Sequence, residues 1–132
     1  MSSSQATNGA VRPGAKPRGL VRLLKAFGNT WQGLAGCWRE EEAFRQEYLL
    51  ALLAIPAGLW LGANGVERAV LIAPMLLILI VELLNSAIET AIDRIGTERH
   101  ALSGLAKDLG SAAVFVSFVL LLSSWALVLL GH

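Results

Sequence analysis

The stretch LLILIVELLNSAIETAIDR, from Leu76 to Arg94, begins as an apolar run and then acquires acidic and amide side chains. Its strongly polar residues are Glu82, Asn85, Glu89 and Asp93. At about 100° of rotation per residue in an α-helix, these four side chains fall within an arc of roughly 80°. The stretch therefore predicts a membrane-spanning helix with one polar face.

The distance of each polar residue from the membrane surface indicates whether it merely reaches the interface or has a functional role. A charged side chain in the middle of a bilayer costs about 2.5–3.5 kcal/mol even on the most lenient scale. Glu89 and Asp93 lie near the helix end, where they could reach the interface, Asp93 by pairing with Arg94. Glu82 lies seven residues, or about two turns, deeper than Glu89, so the sequence predicts a functional role for its carboxylate.

The composition favours an all-α membrane protein. The chain has 132 residues, is 55% hydrophobic and carries a net charge of +1. Its balanced charge does not indicate a nucleic-acid partner, and the single cysteine excludes an internal disulfide. Three segments are apolar enough to be predicted as transmembrane helices, and they make residues 48–131 a three-helix transmembrane domain. These predicted spans cover residues 48–63, 69–92 and 109–131.

The residues before the first span predict a tail and a surface helix. Residues 1–17 are rich in Ser, Gly and Pro, so we expect a disordered tail. Residues 18–47 carry an apolar stripe at spacings of three and four, with Trp31 and Trp38 on it and basic residues mostly beside it. This pattern is typical of an amphipathic helix lying on an anionic membrane surface. An ordinary core helix is the alternative, but the sequence contains no soluble core for it to cover.

The basic residues predict the orientation in the membrane. Seven of the eleven precede the first span, one lies in the first loop, three lie in the second, and none follows the last span. The positive-inside rule therefore places the N-terminus and the second loop in the cytoplasm and the C-terminus outside.

Two further segments suggest what the acidic face does. The run REEEAF, from Arg39 to Phe44, is expected at the membrane boundary near Glu89. Carboxylates meeting there would suit Mg²⁺ that also binds phosphates, although a solvated helix face and a cation or proton pathway remain alternatives. The predicted second loop holds His100, Lys107 and Asp108. After it, Gly110 begins a run of small residues suited to close helix packing.

Three segments of this sequence resemble the prokaryotic integral-membrane diacylglycerol kinases. They are FRQE (Phe44–Glu47), VELLNSAIETAIDRIG (Val81–Gly96) and ERHALSGLAKDLGSAAV (Glu98–Val114), and an apolar helix follows them. The resemblance covers nearly the whole chain from Arg18 to Trp125. It implies an ATP- and Mg²⁺-dependent kinase that converts diacylglycerol to phosphatidic acid in the bacterial cytoplasmic (inner) membrane. It also implies a homotrimer whose active sites are shared between neighbouring chains.

The resemblance assigns roles to individual residues. Glu82 takes the position of the catalytic base, Asn85 supports the catalytic centre, and Glu41 and Glu89 take the Mg²⁺-binding positions. The implied nucleotide-binding residues are Arg22, Glu41, Glu89, Glu98, Arg99, His100, Lys107 and Asp108. The implied lipid-binding residues are Arg22, Trp31, Trp38, Phe44, Arg45, Gln46, Glu47, Glu82 and Ser111. The chain departs from the family at two positions, because Asn29 stands where an aromatic residue is frequent and Arg99 where a tyrosine is frequent.

Two other functions compete with this interpretation. Undecaprenol kinase is a related activity that shares the carboxylate core, but EEAFRQE and the Trp-bearing final helix favour the diacylglycerol branch. A non-enzymatic three-span subunit or small cation channel could use the acidic face as an ion pathway. Such a protein would need neither the Ala-Lys-Asp sequence nor the acidic run.

Overall fold

The computed structural model describes residues 18–132, and the expected disordered tail of residues 1–17 lies outside them. The described chain is all helical. Its four helices are α1 (Leu20–Glu40), α2 (Glu42–Leu61), α3 (Gly65–Ile95) and α4 (Ala101–Leu130). The chain divides within α1 into one unit that ends at Gly33 and another from Leu34 to His132. The prediction of an all-α protein is confirmed.

The part of α1 that precedes Leu34 is an exposed amphipathic helix. Its apolar stripe, which includes Phe27 and Trp31, is exposed, with Trp31 at 74%. Basic Arg22 and Lys25 are also exposed. These features agree with the amphipathic pattern in the sequence.

A single residue separates α1 from α2. We expected one helix over residues 18–47, but Glu41 adopts an extended backbone (φ −117°, ψ 108°) and caps the start of α2. Both backbone groups of Glu41 have a hydrogen-bond partner despite the break. Its N–H donates to the carbonyl oxygen of Cys37 at 2.9 Å, and its carbonyl oxygen accepts from the N–H of Arg45 at 3.3 Å. The helix is therefore interrupted at Glu41, while the N–H and carbonyl groups of this residue remain hydrogen-bonded.

Helix α3 is the centre of the second unit, because both α2 and α4 pack against it. Its first turn is capped by Asn64, whose Oδ1 accepts from the N–H of Glu67 at 3.0 Å. Its buried residues follow the three- and four-residue spacing of one helix face: Leu71, Pro74, Met75, Ile78, Glu82 and Asn85. The face is apolar up to Ile78 and polar from Glu82 onward. A core of Ala51, Met75, Ile78 and Leu121 fills the space between the three helices.

Two of the helices have the length and apolar character needed to cross a membrane, namely α3 and α4. Helix α3 extends beyond the predicted span of residues 69–92 at both ends, whereas α4 begins before the predicted span of residues 109–131 and ends at Leu130. Helix α2, which contains residues 48–61 of the predicted span of residues 48–63, does not meet the same criterion, and its first turns carry Arg45 and Glu47.

The loop between α3 and α4 is much shorter than the sequence suggested. It runs from Gly96 to His100, since α4 already begins at Ala101. The start of α4 is capped by His100, whose Nδ1 accepts from the N–H of Leu102 at 3.1 Å. Lys107 and Asp108, which we expected in a loop, therefore lie in the second turn of a regular helix.

Candidate active site

The polar face predicted on α3 is present and partly buried. Glu82 is 4% exposed and Asn85 is 9% exposed, while Glu89 is half-buried and Asp93 is exposed. The amide Nδ2 of Asn85 lies 3.5 Å from Oε1 of Glu89, to which it donates a long hydrogen bond. Because an α-helix rises about 1.5 Å per residue, Glu82 lies roughly 10 Å deeper along α3 than Glu89.

Three further carboxylates interact with Glu82. Glu47 of α2 is 6% exposed, and its carboxyl group lies against that of Glu82. Glu41, at the break between α1 and α2, and Glu89 are near enough for their charges to act on Glu82. We call Glu41, Glu47, Glu82 and Glu89 the carboxylate cluster. One chain thus supplies four acidic side chains from two helices and a helix junction.

Like charges in a partly buried site are costly unless cations, protons or hydrogen-bond donors offset them. Two buried oxygen atoms of this region, Glu47 Oε2 and Asn85 Oδ1, have no hydrogen-bond partner among the described residues. Unpaired oxygen atoms beside several carboxylates fit a hard cation or a donor group of a substrate. Within residues 18–132, no group of three or more His, Cys, Asp or Glu side chains is arranged to hold a metal ion alone. Any cation held here would therefore take several of its ligands from phosphate and water.

A cavity of about 550 Å³ lies at the α3–α4 loop. Several of the predicted nucleotide-binding residues line it, and they come from the loop and from α4. They are Glu98, Arg99, His100 and Lys107. Asp108 is exposed and is not among the lining residues. His100 uses Nδ1 to cap α4, so its ring is held by the backbone and Nε2 is the atom left for a ligand.

The residues predicted to bind lipid fall into different environments. Phe44 is only 2% exposed and packs inside, whereas Gln46 and Ser111 are exposed and Arg45 is half-buried.

The ring of Tyr48 contacts both Trp38, with centroids 5.3 Å apart, and Phe44, with centroids 6.4 Å apart. Tyr48 was not singled out from the sequence, where it reads only as the first residue of an apolar run. Arg22 and Trp31 belong to the first unit, where both are exposed.

Cys37 is a second residue whose position the sequence did not reveal. Its thiol is buried and lies 3.8 Å from the Ser86 hydroxyl of α3, to which it donates. Burial raises the pKa of the Cys37 thiol, and the neighbouring charges of Glu41, Glu82 and Glu47 raise it further, while the Ser86 contact lowers it. Cys37 therefore marks where the end of α1 packs against α3 beside the carboxylate cluster.

Gly110 of α4 allows Asn85 to occupy its buried position. A Cβ atom at position 110 would clash with Asn85 Oδ1 and lie 3.1 Å from its Cγ. The sequence predicted close helix packing at this run of small residues, and the structure confirms it at Gly110. Asn85 in turn contacts Glu89, so the small residue on α4 and the acidic residue on α3 are linked through one amide.

We expect Gly110→Ala to lower both stability and activity, because the added methyl group displaces Asn85 from its site. Overpacking of this kind costs about 1–3 kcal/mol, which unfolding in mixed micelles measures. Gly104→Ala is the matched control on the same helix, since a Cβ at that position meets no atom within 4 Å. It should leave stability unchanged or raise it by up to about 1 kcal/mol. A fully stable and active Gly110→Ala variant would show that the close approach is unimportant.

Comparison with known proteins identifies the family. Residues 28–129 match the profile of the family described as prokaryotic diacylglycerol kinase. The diacylglycerol kinase of Escherichia coli K12 is 46% identical over 114 residues, which is 86% of this chain and 93% of the relative. The Pseudomonas aeruginosa diacylglycerol kinase is 50% identical over 113 residues, covering 86% and 92% of the two chains. The Helicobacter pylori 26695 protein of the same name is 42% identical over 116 residues, covering 88% and 91%.

The bacterial relatives and the two helices of membrane-spanning length indicate a bacterial membrane protein. The family profile covers most of the chain, including the carboxylate cluster and the cavity at the α3–α4 loop. Because the family profile and the bacterial relatives both match most of the chain, the chain belongs to the prokaryotic diacylglycerol kinase family.

Proposed function

We propose that this protein is a kinase that transfers the γ-phosphoryl group of ATP to the free hydroxyl of diacylglycerol, forming phosphatidic acid. The observation that carries the proposal is the carboxylate cluster with buried Glu47 and Glu82, on the same side of α3 as Asp93 in the wall of the cavity at the α3–α4 loop. The names of the bacterial relatives support the lipid substrate.

The arrangement of α3 suits a reaction between an apolar and a charged substrate. The lipid hydroxyl would approach from the apolar side, near Glu82, while the nucleotide would occupy the polar cavity near Lys107. Glu82 is the residue that would accept the hydroxyl proton as the oxygen attacks phosphorus. Asn85 would keep Glu89 oriented through the contact between Nδ2 and Oε1. Phosphoryl transfer depends mainly on such positioning and on neutralisation of charge.

Glu41 and Glu89 are the residues that would hold Mg²⁺, and both lie near Glu82 in the same chain. When bound, the ion supplies neutralisation of the phosphate charge. The other predicted nucleotide contacts are divided between the described cavity and more exposed positions. Glu98, Arg99, His100 and Lys107 would contact the nucleotide in the cavity, whereas Asp108 would act from outside it.

We propose that α2 is the third membrane span and that α1 lies on the cytoplasmic surface of the inner membrane. The apolar part of α2 after Tyr48 exposes large side chains such as Leu53, as a lipid-facing helix would. The N-terminus and the α3–α4 loop would then be cytoplasmic and the C-terminus would lie outside, following the distribution of basic residues. This topology places the cavity and ATP on the same side.

We propose that the chain forms a homotrimer with shared sites, as the family resemblance implies. Three helices leave Glu89 only half-buried, and uncovered charge at membrane depth is costly. Neighbouring chains would cover this face and exclude lipid from it. Mass measurement of the purified protein in detergent tests the number of chains.

Mixing two inactive variants shows whether the carboxylates of one site come from one chain. Shared sites imply that Glu41 of one chain completes the site of a neighbour, although the charge of Glu41 also acts on Glu82 of its own chain. We therefore expect activity to return when Glu41→Gln and Glu82→Gln subunits are exchanged in one sample, because some sites then contain both native residues. No recovery after exchange would assign both glutamates to the site of one chain. Labelled subunits must first be shown to mix. Recovered activity would show that Glu41 acts across the subunit interface.

The function is tested by incubating purified protein in mixed micelles with labelled ATP, Mg²⁺ and either diacylglycerol or undecaprenol. We expect labelled phosphatidic acid and little product from undecaprenol. A clear preference for undecaprenol would assign the protein to that activity instead. No transfer to either lipid, together with cation flux in protein-containing vesicles, would favour a channel.

A further inference from the structure

An ion pair joins the end of α3 to the start of α4. Lys107 Nζ lies 3.0 Å from Oδ1 of Asp93, although the two residues are 14 positions apart in the chain. Arg94, the partner that the sequence suggested for Asp93, is adjacent to it and exposed. The pair depends on the short loop from Gly96 to His100, which brings the two helix ends together.

The exposure of this pair argues against a mainly structural role. The side chains of Lys107 and Asp93 are 45% and 59% exposed. Pairs in contact with water contribute little to folding stability, because solvent screens them and two long side chains must be ordered. Packing of α3 against α4 does not depend on the pair either, since the core residues Met75, Ile78 and Leu121 lie well away from it along the helices.

The pair lies instead in the wall of the cavity at the α3–α4 loop, to which both residues contribute. Asp93 follows Glu89 by four residues and Glu89 follows Asn85 by four, so all three occupy one side of α3. The Asp93 carboxylate thus fixes the ammonium group of Lys107 in the cavity wall, on the side of α3 that also carries Glu89.

A lysine needs such support to act on a phosphate at a defined place. Its ammonium is a compact charge on a four-carbon stem with many rotamers, unlike the planar guanidinium of arginine. Without a fixed partner the ammonium of Lys107 would be distributed over the open mouth of the cavity. A carboxylate beside it restricts this distribution before the nucleotide arrives, so less conformational entropy is lost on binding.

We propose that Asp93 is a positioning residue that holds Lys107 ready for the phosphates of the nucleotide. The proposal rests on the proposed function and adds to it a residue that does not itself touch the substrate. When the nucleotide binds, the Lys107 ammonium donates to phosphate oxygen while it remains beside Asp93. The carboxylate therefore acts only through the lysine.

Steady-state kinetics tests this relation. We expect Asp93→Asn to raise KM for ATP by about 3- to 10-fold with kcat and KM for the lipid changed less than twofold. Asp93→Glu should restore most of the ATP affinity, because it keeps the carboxylate, and Arg94→Gln is the exposed neighbouring control that should match the wild type. In a Lys107→Met background, Asp93→Asn should have no further effect. An unchanged or lower KM for ATP in Asp93→Asn, or an additive loss in the double variant, would overturn the proposal.

Chemical modification gives a readout that does not require turnover. An amine-acylating reagent followed by peptide mass spectrometry measures the reaction rate at Lys107, with exposed Lys25 as the internal reference. We expect Asp93→Asn to change the rate at Lys107 relative to Lys25 and to raise the ATP concentration that protects Lys107. If ATP protects Lys107 equally in both proteins, Asp93 does not position it. If ATP protects Lys107 but no lipid is phosphorylated, the proposed function is wrong. The comparison of protection between wild type and Asp93→Asn then still tests the positioning role of Asp93.

Discussion

Replacing Glu82 by glutamine is expected to lower turnover by at least about 100-fold, within the range that general-base catalysis contributes. Glutamine keeps the shape of the side chain and removes the group that would accept the hydroxyl proton. Glu82 is 4% exposed, so water cannot easily substitute for it as the base. The measurement is kcat for diacylglycerol phosphorylation at saturating ATP and Mg²⁺.

The same substitution should not damage the fold. Glu82 lies against Glu47 and near Glu41 and Glu89, so a neutral amide relieves repulsion between like charges. The amide can also donate to Glu47 Oε2, which has no partner among the described residues. We therefore expect Glu82→Gln to be at least as stable as the wild type, as is common for catalytic groups that compromise stability.

Glu40→Gln is the matched control, because Glu40 is exposed at the end of α1 and outside the carboxylate cluster. It should retain normal turnover. A folded Glu82→Gln protein with near-normal kcat would show that another group accepts the proton.

The second large effect is expected at Glu41 and Glu89. Replacing either by glutamine should raise the Mg²⁺ concentration needed for half-maximal activity by at least about 10-fold, since even residues that only support metal ligands contribute 10- to 100-fold. Replacing both should cost little more than the worse single change, because two ligands of one ion act as a unit. The measurement is a Mg²⁺ titration of activity at fixed ATP.

The acidic run offers a close control for this titration. Glu42 follows Glu41 directly but is exposed in the first turn of α2, so Glu42→Gln should leave the Mg²⁺ dependence unchanged. Two results would contradict a shared ion: losses that multiply in the double variant, and a Mg²⁺ requirement that does not move. An equal effect of Glu42→Gln would mean that the run acts through its total charge.

The polar face of α3 was predictable because it depends on local geometry. Helical periodicity alone places Glu82, Asn85 and Glu89 on one side, whatever packs against them. The same residues, with the Ala-Lys-Asp sequence, carry the family resemblance that the comparisons confirm. The helical class and the two most apolar helices followed in the same way, from patterns within short segments.

The contacts of that face were decided by packing between distant segments. Nothing in the local sequence showed that the helix breaks at Glu41, or that the break and α2 bring Glu41 and Glu47 to Glu82 in one chain. The small size of Gly110 was visible, but the amide that it accommodates was not.

The partner of Asp93 shows the same division. From the sequence, the adjacent Arg94 was the expected ion-pair partner of Asp93. In the structure the partner is Lys107, because α4 begins at Ala101 and places Lys107 beside the end of α3. Sequence periodicity determined which side chains share a helix face. Which faces meet was determined only by the close packing of whole helices, whose energy is spread over many residues far apart in the chain.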